Sequence, residues 1–136
     1  GMEVSIRTVE LPNAHPNTAV MNLDNGRGRI LSVCASSLGG GRIRVNSIDG
    51  MDAAFSGEMP TLIIRNEDKP GIVSEVSSLL SRYGANIATM QLYRDRRGGL
   101  AVMVMEFDAG LPPELIPTLS GLSGVVRCTY LDMKEN

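Results

Sequence analysis

The turn from Asn66 to Ile72 carries residues that suit a small ligand with one negative and one positive group. It reads Asn-Glu-Asp-Lys-Pro-Gly-Ile and opens a predicted helix. A helix N-terminus offers unpaired N–H donors and partial positive charge, which fit a carboxylate. Asn66 and Asp68 would hold the ammonium group of the same ligand, so the turn suits an α-amino acid. The residues alone favour a simpler alternative, in which Asp68 only caps the helix.

A second group of polar residues lies in the N-terminal part of the chain. It comprises His15-Pro16-Asn17-Thr18 and the run Ser36-Ser37-Leu38-Gly39-Gly40-Gly41. Hydroxyls beside a flexible backbone suit an anion. The glycines lack the spacing of a dinucleotide loop, and no helix is predicted after them. The residues alone therefore favour a loop role for the histidine and a hinge or tight strand crossing at the glycines.

The composition argues against two classes of partner. The formal net charge is −2, whereas a nucleic-acid-binding protein would need a basic surplus. Arg94, Arg96 and Arg97 cluster beside Gly98 and Gly99, a pattern typical of a solvated hairpin tip. No apolar run approaches the ~20 residues that span a bilayer. We therefore expect neither a nucleic acid nor a membrane among the partners.

The chain has 2 cysteines and 1 histidine, which is a poor set for metal chemistry. Cys34 and Cys128 lie far apart in apolar runs, which predicts two reduced core residues in a cytoplasmic protein. They do not suffice for a four-ligand zinc site without carboxylates, nor for an iron–sulfur cluster. No nucleophile stands beside a base. We expect no metal ligands and no catalytic residues in this chain.

Residues 60–133 show a pattern of strands and helices that could position the turn at Asn66. Strands are predicted at 61–65, 86–93, 100–107 and 125–131, with helices after Pro70 and after Pro112. Pro117 limits or kinks the second helix. The order is β-α-β-β-α-β, the ferredoxin-like pattern, in which a four-stranded antiparallel sheet carries both helices on one face. The other face or an edge strand would be free to pair with another copy.

Residues 2–58 predict strands and turns without a convincing helix. Short strands are expected at 4–8, 19–23, 30–34, 43–47 and 51–55, separated by turns such as Asn25-Gly26 and Asp49-Gly50. We therefore expect an α+β fold in two domains. A small, mostly-β region covers 2–58, and the ferredoxin-like domain covers 60–133.

Two motifs flank the first predicted helix of the second domain. They are Asp68-Lys69-Pro70-Gly71-Ile72 and Gly84-Ala85-Asn86-Ile87. With the helix between them, they resemble an ACT domain over residues 61–131. The resemblance implies a regulatory module that forms a homodimer and binds an amino acid at the pair interface. It also implies a shared site, with Asn66, Asp68, Gly71 and Ile72 from one copy and Asn86 and Ile87 from the other.

Further motifs follow one another along nearly the whole chain. They are His15-Pro16-Asn17-Thr18, Ser36 to Gly41, Ile48-Asp49-Gly50, Phe55-Ser56-Gly57-Glu58 and Pro60-Thr61-Leu62. This set resembles the β chain of iron-sulfur-dependent L-serine dehydratase. Its first part is similar to an allosteric substrate-binding domain also found in some phosphoglycerate dehydrogenases. That likeness favours a ligand or domain contact for His15, Asn17, Ser36, Ser37, Gly39, Gly40 and Gly41.

The resemblance implies a division of labour between two chains. A separate α chain would carry a 4Fe-4S cluster and convert L-serine to pyruvate and ammonia, while this chain would hold no cofactor and sense L-serine or a related amino acid. One alternative is a dimerisation and assembly module without ligand. Another is the regulatory tail of a phosphoglycerate-dehydrogenase-like enzyme. Family β chains usually begin with a Ser-Ser-Ser-His segment, so we expect a C-terminal part or a shortened relative.

Overall fold

The chain divides into two units, residues 1–56 and residues 57–136. The structure is a computed structural model that describes residues 3–7, 18–24, 30–40 and 42–132. His15, Asn17 and Gly41, which the sequence analysis singles out, lie outside the described residues. Each unit is described by itself below.

The first unit is an antiparallel meander. Its strands are β1 Glu3–Arg7, β2 Thr18–Asp24, β3 Ile30–Gly39, β4 Arg42–Ile48 and β5 Met51–Phe55, in the order β1-β2-β3-β4-β5. The strand β3 is longer than predicted, because residues 35–39 continue the pairing with β4. The buried apolar side chains of the first unit are Val33, Ala35, Val45, Ile48, Ala53 and Phe55.

The second unit has the predicted ferredoxin-like order. It runs β6 Thr61–Glu67, α1 Ile72–Arg82, β7 Ile87–Arg94, β8 Leu100–Phe107, α2 Leu115–Ser120 and β9 Val125–Leu131. The strands form one four-stranded antiparallel sheet in the order β7-β8-β6-β9. The predicted α+β class and the four-stranded sheet are therefore confirmed, with β6 and β8 in the centre.

Both helices pack on one face of this sheet. Alternate residues of the central strands point into the same apolar core as the helices. The main members are Leu62, Ile64, Met103 and Met105 from the strands, Val76, Leu79 and Leu80 from α1, and Leu115 and Leu119 from α2. Met103 and Met105 are both fully buried in this core.

A glycine follows the end of α1, whereas α2 does not end at Pro117 and runs on to Ser120. The helix α1 carries its apolar residues at helical spacing and is followed by Gly84, whose φ is +72°. Gly84 donates to Ser81 O over 3.0 Å and Ala85 donates to Leu80 O over 3.0 Å, which pairs carbonyls at the helix end. The helix α2 has only 6 residues, and Pro117 lies in its first turn, where no intrahelical N–H partner is needed.

The two glycines that follow the helices are expected to respond to alanine in opposite directions. No atom lies within 4 Å of a Cβ at Gly84, so Gly84→Ala costs only backbone strain, about 1 kcal/mol of unfolding free energy. Gly121 has a φ of −82° and ordinary contacts from 3.5 Å, so Gly121→Ala should be neutral or stabilise by up to about 1 kcal/mol. Urea denaturation measures both, and equal destabilisation would contradict the argument.

Candidate functional site

The N-terminus of α1 has no side-chain cap. Its N-cap residue is Gly71, with φ 93° and no side-chain hydrogen bond at the cap. The alternative in which Asp68 caps this helix is therefore wrong. The first N–H groups of α1, at Ile72 and the residues after it, lack a side-chain acceptor and carry the positive end of the helix dipole. Such a helix end suits an anion, and a carboxylate is one group that fits it.

Asn66 places a buried acceptor on the same side of the sheet. It lies opposite Ala101 of β8, on the face that carries Met103 and the helices. The side chain is 3% exposed. Its Nδ2 donates to the Glu67 carbonyl over 2.8 Å, while Oδ1 has no hydrogen-bond partner among the described residues. An unpaired buried oxygen is costly, and a ligand donor such as an ammonium group would relieve that cost.

The Asp68 side chain points to the β7–β8 hairpin. Its Oδ2 accepts a hydrogen bond from Gly98 N over 2.9 Å and one from Arg94 Nη1 over 3.3 Å. The backbone N–H of Asp68 donates to Gly99 O over 2.9 Å. The Gly98 hydrogen bond, and after it Arg94, hold the pKa of the Asp68 carboxyl below its usual value. The carboxylate is thus charged and already engaged within the chain.

Asn86 and Ile87 lie at the opposite end of the sheet from Asn66. Ile87 pairs with Phe107 on β8, whereas Asn66 pairs with Ala101. Ala101 and Phe107 are six residues apart along β8, which is about 20 Å at ~3.4 Å per residue. Within one chain the six predicted ACT residues therefore form two groups. Asn66, Asp68, Gly71 and Ile72 lie between the end of β6 and the start of α1, and Asn86 and Ile87 lie at the start of β7.

A carboxylate that the sequence analysis missed orients Asn86. Asn86 Nδ2 donates to Asp108 Oδ2 over 2.5 Å, and both residues are exposed. Because a carboxylate only accepts, this contact fixes which end of the carboxamide faces Asp108 and turns Asn86 Oδ1 away from it. Asp108 follows β8 directly, and only the pairing of β7 with β8 reveals that it meets Asn86.

The N-terminal candidates that the structure describes are Ser36, Ser37, Gly39 and Gly40, and they differ in burial and in place. Ser36 is buried, and its Oγ shares a 2.9 Å hydrogen bond with Thr18 Oγ1 and accepts another from Asn46 Nδ2 over 2.7 Å. Ser37 is exposed, and Gly39 and Gly40 lie where β3 turns into β4. The described residues thus give Ser36 a role in pairing three strands, and the glycines a place in a hairpin.

The described residues offer little for metal or nucleophilic chemistry. No cluster of three or more His, Cys, Asp or Glu occurs among them. Burial raises the pKa of the Cys128 thiol to about 11, so the reactive thiolate is scarce at neutral pH. No helix in the described part of the chain is long and apolar enough to cross a membrane.

Part of the chain matches the model of a known protein family. Residues 60–124 match the family model of the ACT domain. These residues include Asn66, Asp68, the α1 N-terminus and Asn86. The match therefore covers both groups of candidate residues.

Two similar proteins match nearly the full length of the chain. A probable L-serine dehydratase β chain from Bacillus subtilis (strain 168) is 28% identical over 96% of this chain and 59% of its own length. The L-serine dehydratase β chain of Peptoniphilus asaccharolyticus is 26% identical over 89% of this chain and 54% of its own. The predicted resemblance is confirmed, and the chain spans 54–59% of the length of these two relatives.

A third relative matches a shorter part. A D-3-phosphoglycerate dehydrogenase of Methanocaldococcus jannaschii is 35% identical over 63% of this chain and 16% of its own length. Sequence identity to that enzyme is higher than to the two β chains, but the match leaves over a third of this chain uncovered.

Proposed function

Because residues 60–124 match the ACT-domain family model, we propose that the chain is a regulatory module of serine metabolism that binds L-serine or a related amino acid. The two L-serine dehydratase β chains support a role in serine metabolism, because they match 96% and 89% of the chain. The dehydrogenase relative matches 63%. The regulatory subunit of an L-serine dehydratase is therefore preferred over the tail of a dehydrogenase.

The observation that carries the proposal is the pairing of a buried acceptor with free donors. Asn66 Oδ1 lacks a partner among the described residues, and no side chain caps α1 beginning at Ile72. An α-amino acid presents an ammonium donor and a carboxylate acceptor a few ångströms apart. The carboxylate would accept from the amides of Gly71 and Ile72 and the ammonium would donate to Asn66. An assembly module without ligand would not need this combination.

A second copy of the chain would complete the site. The strand β7 is at the edge of the sheet, and its backbone is available on that side for another strand. On its helix-bearing face, Met90 is 39% and Leu92 50% exposed. Pairing of β7 with β7 of a second copy would cover these side chains. It would also bring Asn86 and Ile87 of the partner toward the α1 N-terminus.

The catalytic step is proposed for a separate α chain. An iron–sulfur cluster needs about four thiolates, and this chain has 2 cysteines. We place the 4Fe-4S cluster, and the conversion of L-serine to pyruvate and ammonia, on that partner. Both Cys34 and Cys128 are free thiols, which fits a reducing cytoplasm.

Regulation would act through the arrangement of the two copies. A bound amino acid shifts the arrangement only if it binds one state more tightly than the other. A coupling of ~1–3 kcal/mol is typical of such modules. The site at the copy interface is suited to this role, because a ligand held by both copies depends on how they are placed.

A thermal-shift screen against the twenty amino acids tests this proposal. A ligand at ~100 times its dissociation constant adds ~2.7 kcal/mol to stability, which raises the midpoint of a chain this size by several degrees. We expect a selective rise with L-serine or a close relative, and none with D-serine, which is added to the screen as a control. No rise with any amino acid would favour the assembly module instead.

A further inference from the structure

We propose that Asp68 is a positioning residue of the amino-acid site and not a ligand contact. The inference rests on the proposed function and assigns Asp68 a different part in it from Asn66. Asp68 ties the loop before α1 to the β7–β8 hairpin, so that the helix begins in the geometry that the ligand needs.

The described hydrogen bonds of the Asp68 N–H and carboxylate go to the β7–β8 hairpin, and no side chain caps the α1 N-terminus. Its N–H donates to Gly99 O and its Oδ2 accepts from Gly98 N and Arg94 Nη1. The last β6–β8 pair is Glu67 with Leu100, so the Asp68 contacts carry this pairing one residue beyond the sheet. The side chain is 23% exposed, and its charge is offset by Arg94.

Asp68 lies in the short loop between β6 and α1, so its contacts affect where the helix begins. Gly71, three residues later, holds the left-handed conformation from which α1 starts. An anchored Asp68 leaves few residues free between the sheet and the helix, and thereby limits where the α1 amides point. The same contacts keep the carboxylate from capping those amides, which stay open to a ligand carboxylate.

Two substitutions separate a positioning role from a ligand contact. In Asp68→Asn the side-chain oxygen still accepts from Gly98 N, so the loop stays anchored although the charge is gone. In Asp68→Ala the anchor is lost. A carboxylate that held the ligand ammonium would fail in both variants, because charge makes such a hydrogen bond strong.

Asp95 supplies a matched control in the same hairpin. Its Oδ1 accepts from Arg96 N over 2.6 Å and from Leu100 N over 2.9 Å. Asp95→Ala therefore loosens the turn without removing the connection to the loop. Comparison with Asp68→Ala distinguishes that connection from general disorder of the hairpin.

The experiment has one arm without ligand and one with L-serine. Amide hydrogen exchange in the free chain reports on the Gly98 N–H, which donates a hydrogen bond to Asp68 Oδ2. Isothermal titration with L-serine gives the dissociation constant of each variant. We expect Asp68→Ala to speed Gly98 exchange at least tenfold and raise the dissociation constant about 5- to 20-fold. Asp68→Asn and Asp95→Ala should bind within about threefold of the unaltered chain.

Equal loss of affinity in Asp68→Asn and Asp68→Ala would overturn the proposal and make Asp68 a ligand contact. Unchanged affinity in Asp68→Ala would overturn it too, as would an equal loss in Asp95→Ala. If the unaltered chain bound no amino acid, the proposed function would fail. The exchange rate of Gly98 would then still decide whether Asp68 anchors the loop.

Discussion

Replacement of Asn66 by alanine is expected to weaken L-serine binding about 10- to 100-fold while the domain stays folded. The substitution removes the one buried oxygen that the ligand ammonium would meet. A hydrogen bond to a charged group contributes about 1.5–3 kcal/mol, and each 1.4 kcal/mol is a factor of about ten in affinity. Isothermal titration of Asn66→Ala with L-serine measures the loss.

The stability of the same variant should change little, which makes the result informative. Asn66→Ala gives up the hydrogen bond from Nδ2 to the Glu67 carbonyl, at a cost of about 1 kcal/mol. It also removes a buried acceptor that has no partner among the described residues, and this relief is of similar size. Unfolding free energy is therefore expected to stay within about 1 kcal/mol of the unaltered chain, as measured in urea.

Gln91 provides the control carboxamide for this measurement. It lies on β7 opposite Val104, on the sheet face away from the helices, and accepts from Tyr93 OH over 2.8 Å. Gln91→Ala should leave L-serine affinity unchanged. Equal losses in Asn66→Ala and Gln91→Ala would point to a general disturbance of the sheet. Unchanged affinity in Asn66→Ala would remove Asn66 from the site.

The local parts of the fold follow from the sequence because they depend on neighbouring residues. The strands Leu100–Phe107 and Val125–Leu131 match their predicted bounds, since turn residues mark where each begins. The helix α1 forms where the apolar residues have helical spacing, and it ends just before Gly84. The ferredoxin-like order then follows from the succession of elements, because few arrangements bury all their apolar faces.

The site is harder to predict, because its contacts join residues far apart in the chain. Asp68 precedes a helix and therefore favours a capping role by its type. Its actual partner is Gly98, 30 residues away, and only the β6–β8 pairing brings the two together. Asn86 and Asp108 meet across 22 residues in the same way. The residue types indicate a polar site. The partner of each side chain could be predicted only with knowledge of which strand residues pair.

The distance between Asn66 and Asn86 leads to the second large effect, which concerns how two copies share a site. If each site takes Asn66 from one copy and Asn86 from the other, Asn66→Ala and Asn86→Ala should each disable both sites of a symmetric pair. In a mixed pair of these two variants, one site regains both asparagines and the other lacks both. Co-expression with two different tags and sequential purification would isolate the mixed pairs.

We expect the mixed pairs to bind L-serine at about half of their sites, although each variant alone binds weakly. Random mixing without selection should restore about one quarter of the sites, since half of the pairs are mixed. Equilibrium dialysis with labelled L-serine counts the restored sites. The dissociation constant at these sites should equal that of the unaltered chain.

A second kind of mixed pair tests the alternative arrangement, in which each copy holds a complete site of its own. The unaltered chain, paired with a copy that carries both Asn66→Ala and Asn86→Ala, has one damaged residue in each shared site and should bind almost nothing. If each copy held its own complete site, that pair would bind at half of its sites, and the pair of single variants would not bind. The two mixed pairs therefore give opposite results under the two arrangements. The separation of about 20 Å along the sheet between Asn66 and the start of β7 is the reason to expect the shared arrangement.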